Sequence, residues 1–199
     1  MKRFLSMALA LVLSVSAFAE GFGLVGGFTT SQLVVKDIDM KACTGFNAGV
    51  MYNIPLVSGL AIQPELLYNV KGASLDAIDL KSQLGYVELP VQLQWGLDLL
   101  LLRPYIFTEP FIGYAVNWSA SESHTSIGSD LSLDKLNSRL EYGLGVGAGV
   151  DLFDRIQLSF RYYWNFEDCG VGNYFDLVKD HVTERESFNG LLLTIGVFF

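Results

Sequence analysis

The chain is short of cysteine, histidine, positive charge and long apolar runs. Its 199 residues include 2 Cys and 2 His. Cys43 and Cys169 stand far apart, with no C-x-x-C pair and no metal-ligand spacing, which excludes a cysteine-built metal site. A disulfide between them in an oxidising compartment and two free thiols both stay open. Lys and Arg number 13 against 21 Asp and Glu, a net charge of -8. That acidic balance argues against nucleic-acid partners. Past residue 15 no run approaches the ~20 apolar residues of a membrane-spanning helix. Yet hydrophobic residues make up 51 % of the chain and mean hydropathy is +0.36, so this apolar content has to be placed by some other element.

Lys2 and Arg3 precede the apolar stretch Leu5–Val15, and Ala17-Phe18-Ala19 reads as an A-x-A cleavage site. Residues 1–19 are expected to be a cleaved signal peptide and residues 20–199 the mature domain. An uncleaved anchor helix is the weaker alternative, because small and polar residues follow at once. No Cys stands beside the cleavage site, which argues against a lipid anchor. Losing Lys2 and Arg3 would take the net charge from -8 to -10.

The apolar residues recur at period two. In Gln83–Trp118, Val87, Leu89, Val91, Leu93 and Trp95 share one register, while Tyr86, Glu88, Pro90, Gln92 and Gln94 share the other. Such alternation marks a strand with two unlike faces. It returns from Tyr105 to Trp118, so the stretch reads as a hairpin. Further strands are expected at Gly21–Thr30, Thr44–Ile54, Leu60–Gly72, Ser138–Asp151, Ile156–Phe166 and Ser187–Phe199. The connections alternate: Ser31–Ala42, Ala73–Ser82, Ser119–Asn137 and Glu167–Glu186 are long and polar, while Pro55–Gly59, Gly96–Leu102 and Leu152–Arg155 are short. Leu99–Leu102 is apolar for an exposed turn, and longer flanking strands would account for it. Eight strands of about ten residues fit a bilayer when tilted, and the loop asymmetry fits an outer-membrane barrel. The expected fold is all-β: an eight-stranded antiparallel up-and-down transmembrane β-barrel preceded by a signal peptide. Pro64, Pro90, Pro104 and Pro110 fall inside these strands, and bulges or strand starts are expected at some of these positions.

The stretches Gln63-Pro-Glu-Leu-Leu-Tyr68 with Lys71-Gly72, Tyr86-Val-Glu-Leu-Pro-Val91, and Arg103-Pro-Tyr105 through Pro110-Phe-Ile-Gly-Tyr114 resemble a family of small outer-membrane barrel proteins, the porin-like and PorT-type barrels. The likeness covers the mature chain and is a pattern of strands, not a catalytic motif. It implies an eight-strand barrel in the outer membrane of a Gram-negative cell envelope, and no reaction or defined ligand. Before the proline of the third stretch, where the family pattern has Gly, this chain has Glu109, a departure that bears on lumen packing and not on the fold.

By register, Glu65, Glu88, Glu109, Glu141 and Arg161 face the lumen. They could serve a proton or cation path, or acid/base chemistry. The preferred reading is an interior salt-bridge plug, because an eight-strand interior is only wide enough for side chains and buried charges are normally paired. Tyr68, Trp95, Tyr114, Trp118, Tyr162, Trp164 and Phe199 lie near strand ends on the apolar register and are expected to form interfacial aromatic girdles. His124-Thr-Ser126 is similar in spacing to the His-x-Ser of an outer-membrane lipid A deacylase, which uses His as base and Ser as nucleophile. The motif is short and sits in a Ser-rich loop, so an enzyme is the weaker reading. His181 has no partner at metal spacing and reads as a solvated loop residue. No catalytic, cofactor-binding or metal-binding residue is assigned.

Four functions compete. The leading one is a barrel with a plugged lumen and a structural or surface-interaction role through its long external loops. The others are a narrow porin-like channel, a barrel lipid hydrolase, and a secreted soluble barrel holding a lipophilic ligand. The expected partners are outer-membrane lipid and the barrel assembly machinery during insertion; no external ligand is legible.

Overall fold

The computed structural model describes residues 21–34, 41–75, 80–122, 139–166 and 187–199. Residues 1–19, expected from the sequence to be a signal peptide, and His124, Ser126, Cys169 and His181 lie outside them. Eight antiparallel strands run in chain order: β1 Phe22–Val34, β2 Lys41–Tyr52, β3 Leu60–Leu75, β4 Leu80–Gly96, β5 Leu102–Glu122, β6 Leu140–Leu152, β7 Ile156–Asn165 and β8 Ser187–Phe198. A two-residue piece, Ile54–Pro55, follows β2 and pairs with β3. Each strand pairs with its neighbours in sequence, and β1 pairs with β8 from Gly23↔Phe198 to Val34↔Ser187. The sheet therefore closes on itself and keeps no free edge.

Closure sorts the side chains into two sets. Leu66, Val87, Leu89, Leu93, Ile106, Ile112, Leu193 and Ile195 point outward and are exposed. The alternate register points inward and is buried, charged groups included: Glu65, Lys71, Glu88, Glu109, Glu141 and Arg161. This is the reverse of a water-soluble barrel. The inner register is not wholly polar. Val25, Met51 and Leu67 form an apolar cluster with Phe198 packed against it, and the rings of Tyr86, Tyr105, Phe107, Phe111 and Tyr163 are buried as well. Glycine makes room for them. A Cβ on Gly147 would collide with the Phe107 ring and the Phe160 carbonyl.

The strands are longer than the alternation indicates at the long-loop end. Residues 73–75, 80–82 and 119–122 belong to β3, β4 and β5, joined by rungs such as Ser74↔Lys81 and Ser82↔Ala120. Hydrophobic alternation fades there, although the backbone ladder continues. At the other end the regular strands stop at Gly96 and start again at Leu102, yet Leu97 N donates to Pro104 O, and Leu99 and Leu102 exchange backbone hydrogen bonds. Leu99–Leu102 is thus the tip of a hairpin whose pairing runs past its strands, with Leu100 and Leu101 as its loop.

The prolines are accommodated in two ways. Neither side of Pro64, Pro90 or Pro110 shows a register shift. Instead the ladder skips rungs: Glu65–Leu66 opposite Leu89–Pro90, and Val91–Gln92 opposite Glu109–Pro110. The register shifts lie at Gly85/Tyr86 and between Ala42 and Asn47. Only Pro104 meets the expectation of a strand start, two residues into β5. A proline lacks the donor for a rung, and here the loss is taken as a gap and not as an inserted residue.

Candidate functional site

Among the described residues, the buried charged side chains converge in the lumen. Strands β3, β4, β5, β6 and β7 each turn an ionisable residue inward, because their lumen register is fixed by the apolar register that faces out. The geometry divides these residues into two clusters. Arg161 on β7 reaches Glu65 on β3 at 3.0 Å and Glu109 on β5 at 2.9 Å. Lys71 on β3 reaches Glu88 on β4 and Glu141 on β6, both at 2.9 Å. Arg161 therefore meets two of the four lumen glutamates, and the other two belong to Lys71.

Amides complete both clusters. Gln63 and Gln92 donate to Glu65 Oε1 at 2.9 and 2.6 Å. Asn69 donates to Glu88 at 2.9 Å, and Asn165 to Glu141 at 2.6 Å. Around Lys71 stand three rings, Tyr163, Phe111 and Tyr86, with Nζ at 4.5, 4.9 and 5.2 Å from their centroids. This is cation–π geometry. Gly113 sits between Glu88 and Glu141, and a Cβ there would come within 2.6 Å of Glu141 Oε1, so glycine holds the space the carboxylates use. A void of about 10 Å³ separates the clusters, bounded by Lys71, Glu88, Glu109, Arg161 and Tyr163 among others. That is about the room of one water molecule.

A third group lies toward the short turns. Arg103 contacts Asp151 at 2.9 Å and Asp98 at 3.3 Å, and donates to Gln94 and to Gly59 O. Gln157 links Asp151 to Gln63. Beyond it a cavity of about 650 Å³ opens at the mouth, bounded by the turn 53–59, Asp98, Arg103, Asp151, Asp154 and Phe199. The alternation already puts Lys71 in the register of Glu65, toward the outer end; Arg103 and Asp151 were missed, and with Lys71 make three further members of this interior. All three stand in the inward register, and that register was the available signal. Among the described residues no His, Cys, Asp and Glu group is placed to hold a metal.

The outward aromatics fall at two levels. Tyr68 and Tyr114 both stand opposite Val87; Tyr68 packs on Phe46 at 6.0 Å and bonds Asn117 through its hydroxyl. Tyr162 and Trp164 pack edge to face at 4.7 Å. At the opposite end Trp95 is level with Leu60 and Ile106, and Phe199 stacks on Phe22 at 6.4 Å. The Trp118 side chain is outside the described set. Cys43 is a buried free thiol.

A closed eight-strand sheet with an apolar exterior and a charged, self-paired interior defines a membrane barrel. A family model for the outer membrane protein β-barrel domain matches residues 20–169. The chain belongs to that family and is a protein of the cell outer membrane. No protein of curated function matches its sequence. Among solved structures it is similar to Neisserial surface protein A, NspA, at 12 % identity and TM-score 0.52, over 90 % of this chain and 97 % of that one. It is also similar to the outer membrane enzyme PagL, at 9 % identity and TM-score 0.51, over 88 % and 99 %. OprG from Pseudomonas aeruginosa matches at 10 % identity and TM-score 0.46, over 90 % and 95 %. These likenesses concern the fold. In such barrels the short turns and both termini are periplasmic and the long loops external.

Proposed function

We propose that this is an outer-membrane barrel with a plugged lumen, exported by a signal peptide cleaved after Ala19, that acts through its external loops in a structural or surface-interaction role. The observation that carries this reading is the double ion-pair cluster. Each cation is held within 3.0 Å of two carboxylates from different strands, so the interior cross-links itself. Charges spent on one another are less available to bind or turn over a passing solute. The name of NspA, a surface protein, agrees with a surface role. PagL is an enzyme; this chain is read as a non-enzyme because its His124-Thr-Ser126 is a short motif in a Ser-rich stretch.

The test is planar-bilayer conductance of the refolded protein. A closed barrel is expected to give no stable unitary currents. Stable, ion-selective channels would reject the plug. A narrow channel is the second reading, and the 650 Å³ periplasmic mouth is what favours it, since half of a path is already open.

Insertion is proposed to depend on the barrel assembly machinery reading β8. Leu191, Leu193, Ile195 and Val197 present one exposed apolar register, and Phe199 ends the chain. Deleting Phe199 is expected to lower the folded protein recovered in the outer membrane. Unchanged recovery would count against it.

A further inference from the structure

The periplasmic end of a membrane barrel meets water, yet here it carries large apolar side chains on adjoining turns. Leu97, Leu99, Leu100 and Leu101 are exposed on the β4–β5 hairpin, Leu100 fully so, and Leu56 and Val57 are exposed on the turn beside it. Gly96 N donates to Gly59 O, and Phe153 N to Leu101 O, so the turns are stitched together. Phe153 is exposed too.

The leucines continue an existing surface. Trp95 belongs to the outward register of β4, and Leu97 and Leu99 follow it at period two, with Leu102 opposite Leu99. The one charge on this tip, Asp98, is in the inward register and lies 3.3 Å from Arg103. The outward face of the hairpin is therefore uncharged from Trp95 to its tip. The last pair, Leu99 with Leu102, lies four residues past Trp95. At ~3.3 Å per residue and a tilt of about 40°, that is about 10 Å further along the barrel axis. The neighbouring turn Phe153-Asp154-Arg155 carries charge and does not share this character.

We propose that the Leu97–Leu101 hairpin tip, with Leu56 and Val57 beside it, is immersed in the periplasmic leaflet at the boundary between headgroups and acyl chains. The occupant is lipid because the surface is continuous with the lipid-facing belt, in register and without an intervening charge. The tip then acts as a foot that sets the barrel's depth and inclines it toward the β4–β5 side, where the apolar belt is tallest.

The experiment uses the full barrel in phosphatidylethanolamine/phosphatidylglycerol vesicles. A nitroxide is placed at Leu100→Cys, Leu93→Cys or Asp154→Cys, in a Cys43→Ser, Cys169→Ser background whose folding is checked by heat-modifiable gel mobility. Leu93 reports lipid and Asp154 reports water. The ratio of accessibility to oxygen over a water-soluble nickel chelate is expected to be several-fold higher at Leu100 than at Asp154, and close to that at Leu93. A Leu100 ratio equal to that at Asp154 overturns the proposal. So does low accessibility to both reagents, which means a protein covers the tip. A Leu100→Trp variant repeats the test with both cysteines in place. The added fluorescence is expected to be quenched by brominated-acyl lipids; quenching by aqueous iodide alone overturns the proposal.

Discussion

Lys71 and Arg161 each hold two glutamates inside the barrel, but their surroundings differ. Lys71 sits toward the external loops in a cage of Tyr86, Phe111 and Tyr163. Arg161 sits toward the periplasm, where Gln63 and Gln92 share the load on Glu65, and the Arg103–Asp151 group leads on to the open mouth. The two designs follow from the two side chains. An ammonium is a compact charge that rings can surround on several sides. A guanidinium is a planar fork that can address separate carboxylates with separate nitrogens, as Nη1 and Nη2 do here with Glu109 and Glu65. Each carboxylate of the upper cluster has one amide donor, Asn69 on Glu88 and Asn165 on Glu141, whereas Glu65 in the lower one has two in reserve.

Removing each cation puts that difference on a scale. Lys71→Met keeps the volume and leaves Glu88 and Glu141 among rings with one amide donor each; a loss of about 4–5 kcal/mol is expected, the upper end for breaking a buried pair. Arg161→Met is expected to lose about 3–4 kcal/mol, less because two amides still reach Glu65. Urea unfolding in detergent micelles or vesicles measures both, and the reverse order would refute the contrast drawn between the halves. Arg161→Lys keeps the charge and forfeits one arm of the fork, for roughly 1.5–3 kcal/mol, the worth of one charged hydrogen bond. The smallest change is Gln92→Leu, which removes a neutral donor to Glu65 and the acceptor of Gln94 and is expected to lose about 1–2 kcal/mol. If Gln92→Leu proves as costly as Arg161→Lys, the amides are not a reserve but part of the ion pair itself.

Much of this was legible from period two. The alternation Val87, Leu89, Val91, Leu93, Trp95 assigns a face to each residue, and closing eight such strands puts Glu88 and Gln92 inside. It does not assign a height. Which carboxylate meets which cation depends on the stagger of one strand against the next around the ring, and on side-chain reach, so the split of four glutamates between Lys71 and Arg161 was not readable. Strand ends were hidden for a related reason. Ser74, Lys81 and Ser121 extend the ladder, and composition there looks like loop. The Leu99–Leu102 run resisted because its residues follow the outward register into a turn, where apolar side chains are not the rule. The prolines misled in kind: a missing donor pointed to inserted residues, and the chain left rungs out.

Those omitted rungs have a mechanical consequence. At the level of Leu89–Gln92, β4 loses backbone bonds to β3 on one side and to β5 on the other. The same strip supplies Gln92, and the facing gaps supply Glu65 and Glu109, the two carboxylates that Arg161 grips from the opposite wall. The bore is thus braced from within at the height where its wall is unstitched. Arg161 works there as a strut, and a cross-section that would otherwise breathe between round and oval is held to one shape by three side chains.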